Sequence, residues 1–343
     1  MDFSSILIQW YHQNKRDLPW RKTKNPYHIW LSEIILQQTR VEQGLSYYLK
    51  FIEHYPTVND LANANQDEVL KLWQGLGYYS RARNLHFTAK QLVADFNSEF
   101  PQTYKKIKNL KGIGDYTAAA ILSFSHNQPY PVIDGNVYRV LARIFGVTEF
   151  IDTLKGKKIF AELAEELLDK KNAATYNQAI MEFGAIQCKP KLPLCVSCCF
   201  QQHCFAFKHN EINNLPKKEK QTKQRNRYFN YLVVTDILIQ KRNNKDIWNG
   251  LFDFPIIETN ESINNIDNIL SNELNWLLDK STKLSKSNEF VHQLSHQKIH
   301  ATFWLFKVDK IKKTIPNSIK IKYSDIHQYP VAKLIENYIK SFL

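Results

Sequence analysis

The sequence predicts a multidomain chain: an all-α domain over residues 1–207, a basic linker over 208–227, and a smaller α+β domain over 228–343. Three observations carry this. The length of 343 residues is that of two ordinary domains, each able to bury a core. Apolar residues recur every three or four positions through the first part. After a polar, basic break, the composition turns to β-branched and aromatic runs.

The elements follow in order. Phe3, Ile6, Leu7 and Trp10 give the N-terminal segment one apolar helical face, and the acid at Asp2 argues against a signal peptide. From Trp30 to Ile52 the positions Trp30, Ile34, Gln38, Val41, Leu45, Tyr48 and Ile52 step by three or four. The same spacing recurs at Val137, Val140, Leu141 and Ile144, and at Phe160, Leu163, Ala164 and Leu167. Gly75, Gly77, Gly112, Gly114 and Pro129 mark breaks between helices. Between His209 and Arg227 the chain becomes rich in Asn, Lys, Gln and Arg, and Lys217–Arg227 sets six basic residues against Glu219. That is the composition of an exposed linker. Beyond it, Tyr228–Gln240 and Ala301–Val308 read as strand, and Ile266–Leu278 as helix.

Lysine and arginine number 46 against 33 acids, a net charge of +13. The excess points to a polyanionic partner, for which nucleic acid is the commonest choice and a merely solvated basic surface the plainer one. A hydrophobic content of 43% excludes wholesale disorder, and no apolar run approaches 18 residues, which excludes a spanning helix. A cytoplasmic protein is expected.

All five cysteines lie between Cys188 and Cys204. Cys188, Cys195, Cys198 and Cys204 are spaced Cys-x6-Cys-x2-Cys-x5-Cys, with Cys199 left over. Thiols crowded like this in a reducing compartment point to a metal centre rather than disulfides. A structural zinc commonly takes two close pairs, whereas only one exists here, so a [4Fe-4S] cluster suits the uneven spacing better; zinc and a chance grouping stay open.

Two further segments carry chemistry. In Leu110-Lys111-Gly112-Ile113-Gly114-Asp115, two glycines precede a good helix former. They can adopt left-handed dihedrals and turn backbone N–H groups toward a phosphate beside a helix N-terminus, although a plain helix–helix turn uses the same residues. In Ile133-Asp134-Gly135-Asn136-Val137, an acid opens a periodic helix. Asp134 is an N-cap on this reading, and its distance of about 20 residues from the hairpin also brings a carboxylate near whatever backbone the hairpin holds.

Hairpin, following aspartate and trailing cysteines together resemble the helix-hairpin-helix base-excision glycosylases, and more closely the MutY adenine DNA glycosylases. The residues carrying the resemblance are Pro19-Trp20-Arg21, the run from Trp30 to Thr39 (WLSEIILQQT), the run from Gly75 to Leu85 (GLGYYSRARNL), and Ile133–Val137. It spans essentially the whole chain. Lys111 departs from it, standing where a proline is usual. The resemblance implies that Glu33 is the general acid and base, that Asp134 stabilises an oxocarbenium-like sugar, and that Tyr116 lines the active site. Cleaving an adenine N-glycosidic bond asks for such a pair, one carboxyl protonated near neutral pH and one ionised. The apolar neighbours Leu31, Ile34, Ile35 and Leu36 would raise the Glu33 pKa in the required direction.

By the same resemblance Gln38 and Tyr78 enter the duplex when the base is flipped. Arg16, Arg21, Lys189 and Lys191 are candidate phosphate contacts, alongside Gly112 and Gly114. Endonuclease III-like lyases carry a lysine nucleophile where this chain has Tyr116, so a monofunctional glycosylase is implied. Trp248-Asn249-Gly250-Leu251-Phe252-Asp253-Phe254-Pro255 resembles the family's Nudix-like domain, without the glutamate-rich hydrolase box between Glu258 and Lys280. Ser295 and His296, in Val291-His292-Gln293-Leu294-Ser295-His296, match the loop that recognises 8-oxoguanine, with Leu294 where an aromatic is frequent. The implied partner is duplex DNA holding 8-oxoguanine:adenine or guanine:adenine mispairs, bound by a monomer with no membrane involved. The alternatives are a catalytically silent iron–sulfur lesion sensor and an endonuclease III-like glycosylase/lyase.

Overall fold

The computed structural model describes residues 2–219, 224–234, 237–243, 246–270, 283–307 and 318–342. The helices are α1 (Phe3–Asn14), α2 (Pro26–Leu36), α3 (Val41–His54), α4 (Val58–Asn63), α5 (Gln66–Leu72), α6 (Ser80–Phe96) and α7 (Tyr104–Lys108). They continue with α8 (Asp115–His126), α9 (Gly135–Phe145), α10 (Leu154–Leu167), α11 (Ala173–Glu182), α12 (Phe205–Lys208) and, at the C-terminal end, α13 (Lys333–Phe342).

Two compact units emerge, and their boundary is not linear in sequence. One contains residues 1–63 and 84–221; the other contains 64–83 together with 222–343. The segment holding α5 and Tyr78 therefore packs with the C-terminal strands.

In the first unit, Asp2 caps α1 by accepting from the Ser5 amide, and Phe3, Leu7, Trp10 and Tyr11 are buried. They join Val140, Leu141, Phe160, Phe183 and Phe200 in one core. The periodic stretch from Trp30 to Ile52 is not one helix. It breaks into α2 and α3 at Gln37–Arg40, where Gln38 takes φ +57°. The three-four spacing runs across the break because both helices lay apolar faces on the same core, so periodicity alone does not reveal the loop.

In the second unit, β1 (Arg225–Val234) starts inside the stretch whose composition reads as linker. Then come β2 (Leu238–Lys241), β3 (Phe252–Asp253), β4 (Ile256–Thr259), β5 (Lys283–Lys286), β6 (Phe290–Gln293), β7 (Gln297–Lys307) and β8 (Ser318–Lys320). β1 and β7 pair in parallel from Arg225–Gln297 to Val234–Phe306; β4 flanks β1, and β5 and β6 pair with β7 antiparallel. β3, β2 and β8 form a second sheet. The helix expected over 266–278 lies mostly outside the described residues; Asp267–Ile269 form a 3-10 turn.

Candidate active site

Asn25 caps α2 and Pro26 starts it, which places Glu33 on a helix buried over most of its length. Glu33 is 5% exposed, and its Oε2 accepts a 2.6 Å hydrogen bond from the Tyr116 hydroxyl. Burial pushes the Glu33 carboxyl up to about 7; the Tyr116 hydroxyl opposes this and the negative charge of Asp134 adds to it. Burial also holds the Tyr116 phenol well above its ordinary range, so Tyr116 remains the donor.

Asp134 is the N-cap of α9. Its Oδ1 accepts from the amides of Asn136 and Val137, each at 2.8 Å, and Oδ2 accepts from the Asn136 side chain at 2.7 Å. Burial raises its pKa while these donors and Arg139 oppose the rise. The capping and electrostatic readings of Asp134 are thus compatible in one geometry. Both carboxylates line a cavity of about 470 Å³ with Tyr116, Gln38, Arg16 and Arg21, a size ordinary for a small-molecule or base pocket.

Arg16 and Arg21 do more here than face solvent. Arg16 grips Glu182 through Nε and Nη2 at 2.8 and 2.7 Å, and Arg21 Nη2 reaches the same carboxylate at 2.7 Å. Burial works against the Glu182 charge, yet the hydrogen bonds from Arg16 and Arg21 outweigh it and hold the carboxyl down to about 2. Two guanidiniums on one carboxylate form a triad of local charge +1, which offsets the Asp134 carboxylate in the same cavity. Sequence reasoning missed Glu182; the signal was a single acid inside the apolar run Ile180-Met181-Glu182-Phe183.

The hairpin before α8 uses its two glycines differently. Gly112 is left-handed at φ +80°, and a Cβ there would lie 2.8 Å from the Asn84 Cβ. Gly114 is extended, at φ −97°, and serves as the α8 N-cap without a side-chain bond. Only the first glycine needs positive φ; the second leaves the helix N-terminus uncovered, since nothing lies within 4 Å of a Cβ built there. Lys111 Nζ sits 4.3 Å from the centre of the Phe87 ring.

Arg139 and Arg143, one helical turn apart on α9, were also missed. Arg139 bonds Asn136 Oδ1 and the carbonyls of Gly184 and Cys188; Arg143 bonds the carbonyls of Lys189, Pro190 and Leu215, and its Nη1 lies 3.5 Å from Cys188 Sγ. They tie the Asp134 cap to the cysteine loop, where Lys189 is half-buried and Lys191 exposed. Burial raises the Cys195 and Cys204 thiols, and Cys188 and Cys198 add to the rise in both. Cys199 is exposed and interacts with Cys198. Among the described residues no three Cys, His, Asp or Glu side chains close around a single ion. In donor chemistry, four thiols within 17 residues, one of them beside the Arg143 guanidinium, fit an anionic iron–sulfur cluster.

The remaining candidates gather in the second unit. Ser295 and His296 form the exposed tip of the β6–β7 hairpin, with Ser295 Oγ 3.1 Å from His296 Nδ1. They line a cavity of about 360 Å³ with Tyr78, which is 47% exposed at φ +47°.

Residues 31–169 match the HhH-GPD superfamily of base excision DNA repair proteins, and residues 230–341 match the NUDIX domain. A helical fold of this superfamily with two carboxylates in one cavity defines a base-excision DNA glycosylase. A thermostable thymine-DNA glycosylase superposes with a TM-score of 0.56 at 30% identity, over 60% of this chain and 95% of that one. Endonuclease III in a trapped covalent complex with DNA shares the fold, with a TM-score of 0.53 at 21% identity, over 60% of this chain and 94% of that one. The adenine DNA glycosylase of Buchnera aphidicola subsp. Baizongia pistaciae is 35% identical over 94% of this chain and 91% of its own length. That of Buchnera aphidicola subsp. Acyrthosiphon pisum is 32% identical over 99% and 98%, and that of Rattus norvegicus 32% over 87% and 69%. The chain belongs to the adenine DNA glycosylase family.

Proposed function

We propose that this chain removes adenine mispaired with 8-oxoguanine, and with guanine more weakly, from duplex DNA by hydrolysis that leaves an abasic site. The observation that carries the reading is a buried Glu33 whose carboxyl is held near 7 beside a tyrosine donor and Asp134. Adenine departs readily only when protonated. Protonated Glu33 delivers that proton, and ionised Glu33 afterwards takes one from the attacking water. Asp134, held by three donors, faces the positive charge that develops on the sugar. Among the described residues lining the cavity there is no lysine, which supports a monofunctional reaction without a Schiff base.

Gln38 and Tyr78 are the residues we assign to filling the duplex, and both hold positive φ, a strained state that concentrates at functional sites. Gly112 and Gly114 hold the phosphate backbone, with Arg16, Arg21, Lys189 and Lys191 as further contacts. Cys188, Cys195, Cys198 and Cys204 would hold a [4Fe-4S] cluster, which supplies a rigid, charged anchor for the loop carrying Lys189 and Lys191. Ser295 and His296 read the oxidised base, since hydroxyl and imidazole can answer both its C8 carbonyl and its N7 proton. Catalysis falls to residues within 1–207 and reading of the oxidised base to 228–343, with Tyr78 of the 64–83 segment in the second unit, in a monomer acting in the cytoplasm. Single-turnover strand cleavage of an 8-oxoguanine:adenine duplex tests the reading: nicks are expected only after alkali, with weak borohydride trapping. Strong trapping would instead favour a lyase.

A further inference from the structure

The 360 Å³ cavity in the second unit contains an aromatic that the reading above does not use. Trp248 lines it with Tyr78, Arg83, Leu294, Ser295 and His296. Its φ is +60°, an uncommon conformation for a bulky residue and one that persists only where the surroundings impose it. The surroundings do so. The Leu251 amide donates to the Trp248 carbonyl at 3.0 Å, the Gly250 amide donates to the Arg242 carbonyl at 2.7 Å, and an Arg83 guanidinium N–H donates to the Asn249 carbonyl. Asp246, two residues earlier, is held by Arg227 at 2.7 Å and Arg242 at 3.3 Å. The half-buried indole rests edge-on against Phe229 and His292, with ring centres 6.2 and 5.8 Å away. A turn clamped from both sides so that a strained tryptophan lines a cavity is a built surface for a flat ligand.

At the hairpin tip beside it, the residue before Ser295 and His296 is the aliphatic Leu294, which offers no π face. Polar contacts along a base edge need a face that holds the base in plane, and aromatic stacking supplies this for any purine. We infer that Trp248 is the surface on which the oxidised guanine stacks while Ser295 and His296 read its edge, so that the indole serves where Leu294 cannot. The inference rests on the proposed recognition of 8-oxoguanine by this cavity. Stacking by itself favours neither purine. The oxidised base, retained by the polar pair, dwells on the indole longer than guanine does, and so it loses more when the ring is removed.

The test compares Trp248→Phe and Trp248→Leu in the full-length protein, alongside the Ser295→Ala/His296→Ala double variant. Leucine retains apolar bulk without a π face, and melting temperatures confirm that each variant is folded. Affinities for 8-oxoguanine:adenine and guanine:adenine duplexes at one salt concentration are the main readout. Trp248→Leu should lose roughly tenfold in affinity for the oxidised duplex, with a much smaller loss for the other, and Trp248→Phe should largely restore it. The tryptophan fluorescence quench on binding the oxidised duplex should diminish in Trp248→Phe. Unchanged preference in Trp248→Leu, or an unchanged quench in Trp248→Phe, overturns the inference even if the double variant has lost its preference. A wild type that binds both duplexes alike overturns the recognition reading itself, and the inference with it.

Discussion

Replacing Glu33 with glutamine should make the protein more stable at alkaline pH and nearly inert as a catalyst. The wild-type carboxyl is buried and raised from 4.5 to about 7. Between those two values the folded protein keeps a proton that the unfolded chain has released, so stability falls as pH rises through the window and the full penalty stands above it. That rise corresponds to about 3 kcal/mol at pH 8 and to less than about 1 kcal/mol at pH 5. Glutamine cannot ionise, and its amide oxygen can still accept from the Tyr116 hydroxyl, so the variant avoids the penalty with little change in shape. Urea denaturation of both proteins at pH 8 and pH 5 measures the difference. Melting temperature should rise by several degrees at pH 8. Adenine release should fall by about 10²- to 10⁴-fold or more, since general acid catalysis is removed while duplex binding is kept. Equal stability at pH 8 would refute the raised carboxyl, and near wild-type excision would remove Glu33 from the mechanism.

Three further outcomes are expected. Purified anaerobically, the protein should contain iron and acid-labile sulfide; Cys199→Ser should retain both and Cys198→Ser should not, as metal analysis will show, whereas stoichiometric zinc would contradict the assignment. Glu182→Ala strands two guanidiniums and should cost toward the low end of about 3–5 kcal/mol, because Arg16 is partly exposed; in the wild type this stability is present above pH 4.5 and is lost as pH falls through about 2. Ser295→Ala/His296→Ala should lose about 1–3 kcal/mol of preference for 8-oxoguanine:adenine over guanine:adenine while adenine is still cut, as single-turnover rates on the two duplexes will report.

Much of the fold was legible because its signals are local. The apolar spacing of α1, the cap at Asp134, and the change of residue type after the basic stretch each act within a few residues, whereas the Asn25 cap of α2 went unread. The Gln37–Arg40 break was hidden because α2 and α3 share a core and keep a common phase. The Gly112 conformation followed from its type, but Gly114 is extended, since an N-cap needs no positive φ. Long-range pairing was out of reach: Glu182 meets Arg16 across 166 residues, and residues 64–83 pack with a unit that resumes at 222. Nothing in the local sequence states such partners. The motif residues Glu33, Asp134 and Tyr116 come together in one cavity although they lie 101 residues apart at most, which the resemblance implied and the spacing alone could not.

The central claim is that Glu33, protonated near neutral pH, drives adenine release without strand scission. Its most direct test is single-turnover release from an 8-oxoguanine:adenine duplex between pH 5 and pH 9, with strand breaks counted before and after alkali. The account predicts breaks only after alkali and a rate that declines above about pH 7 as Glu33 ionises. A rate that holds level to pH 9, or a duplex left intact after alkali, would contradict it.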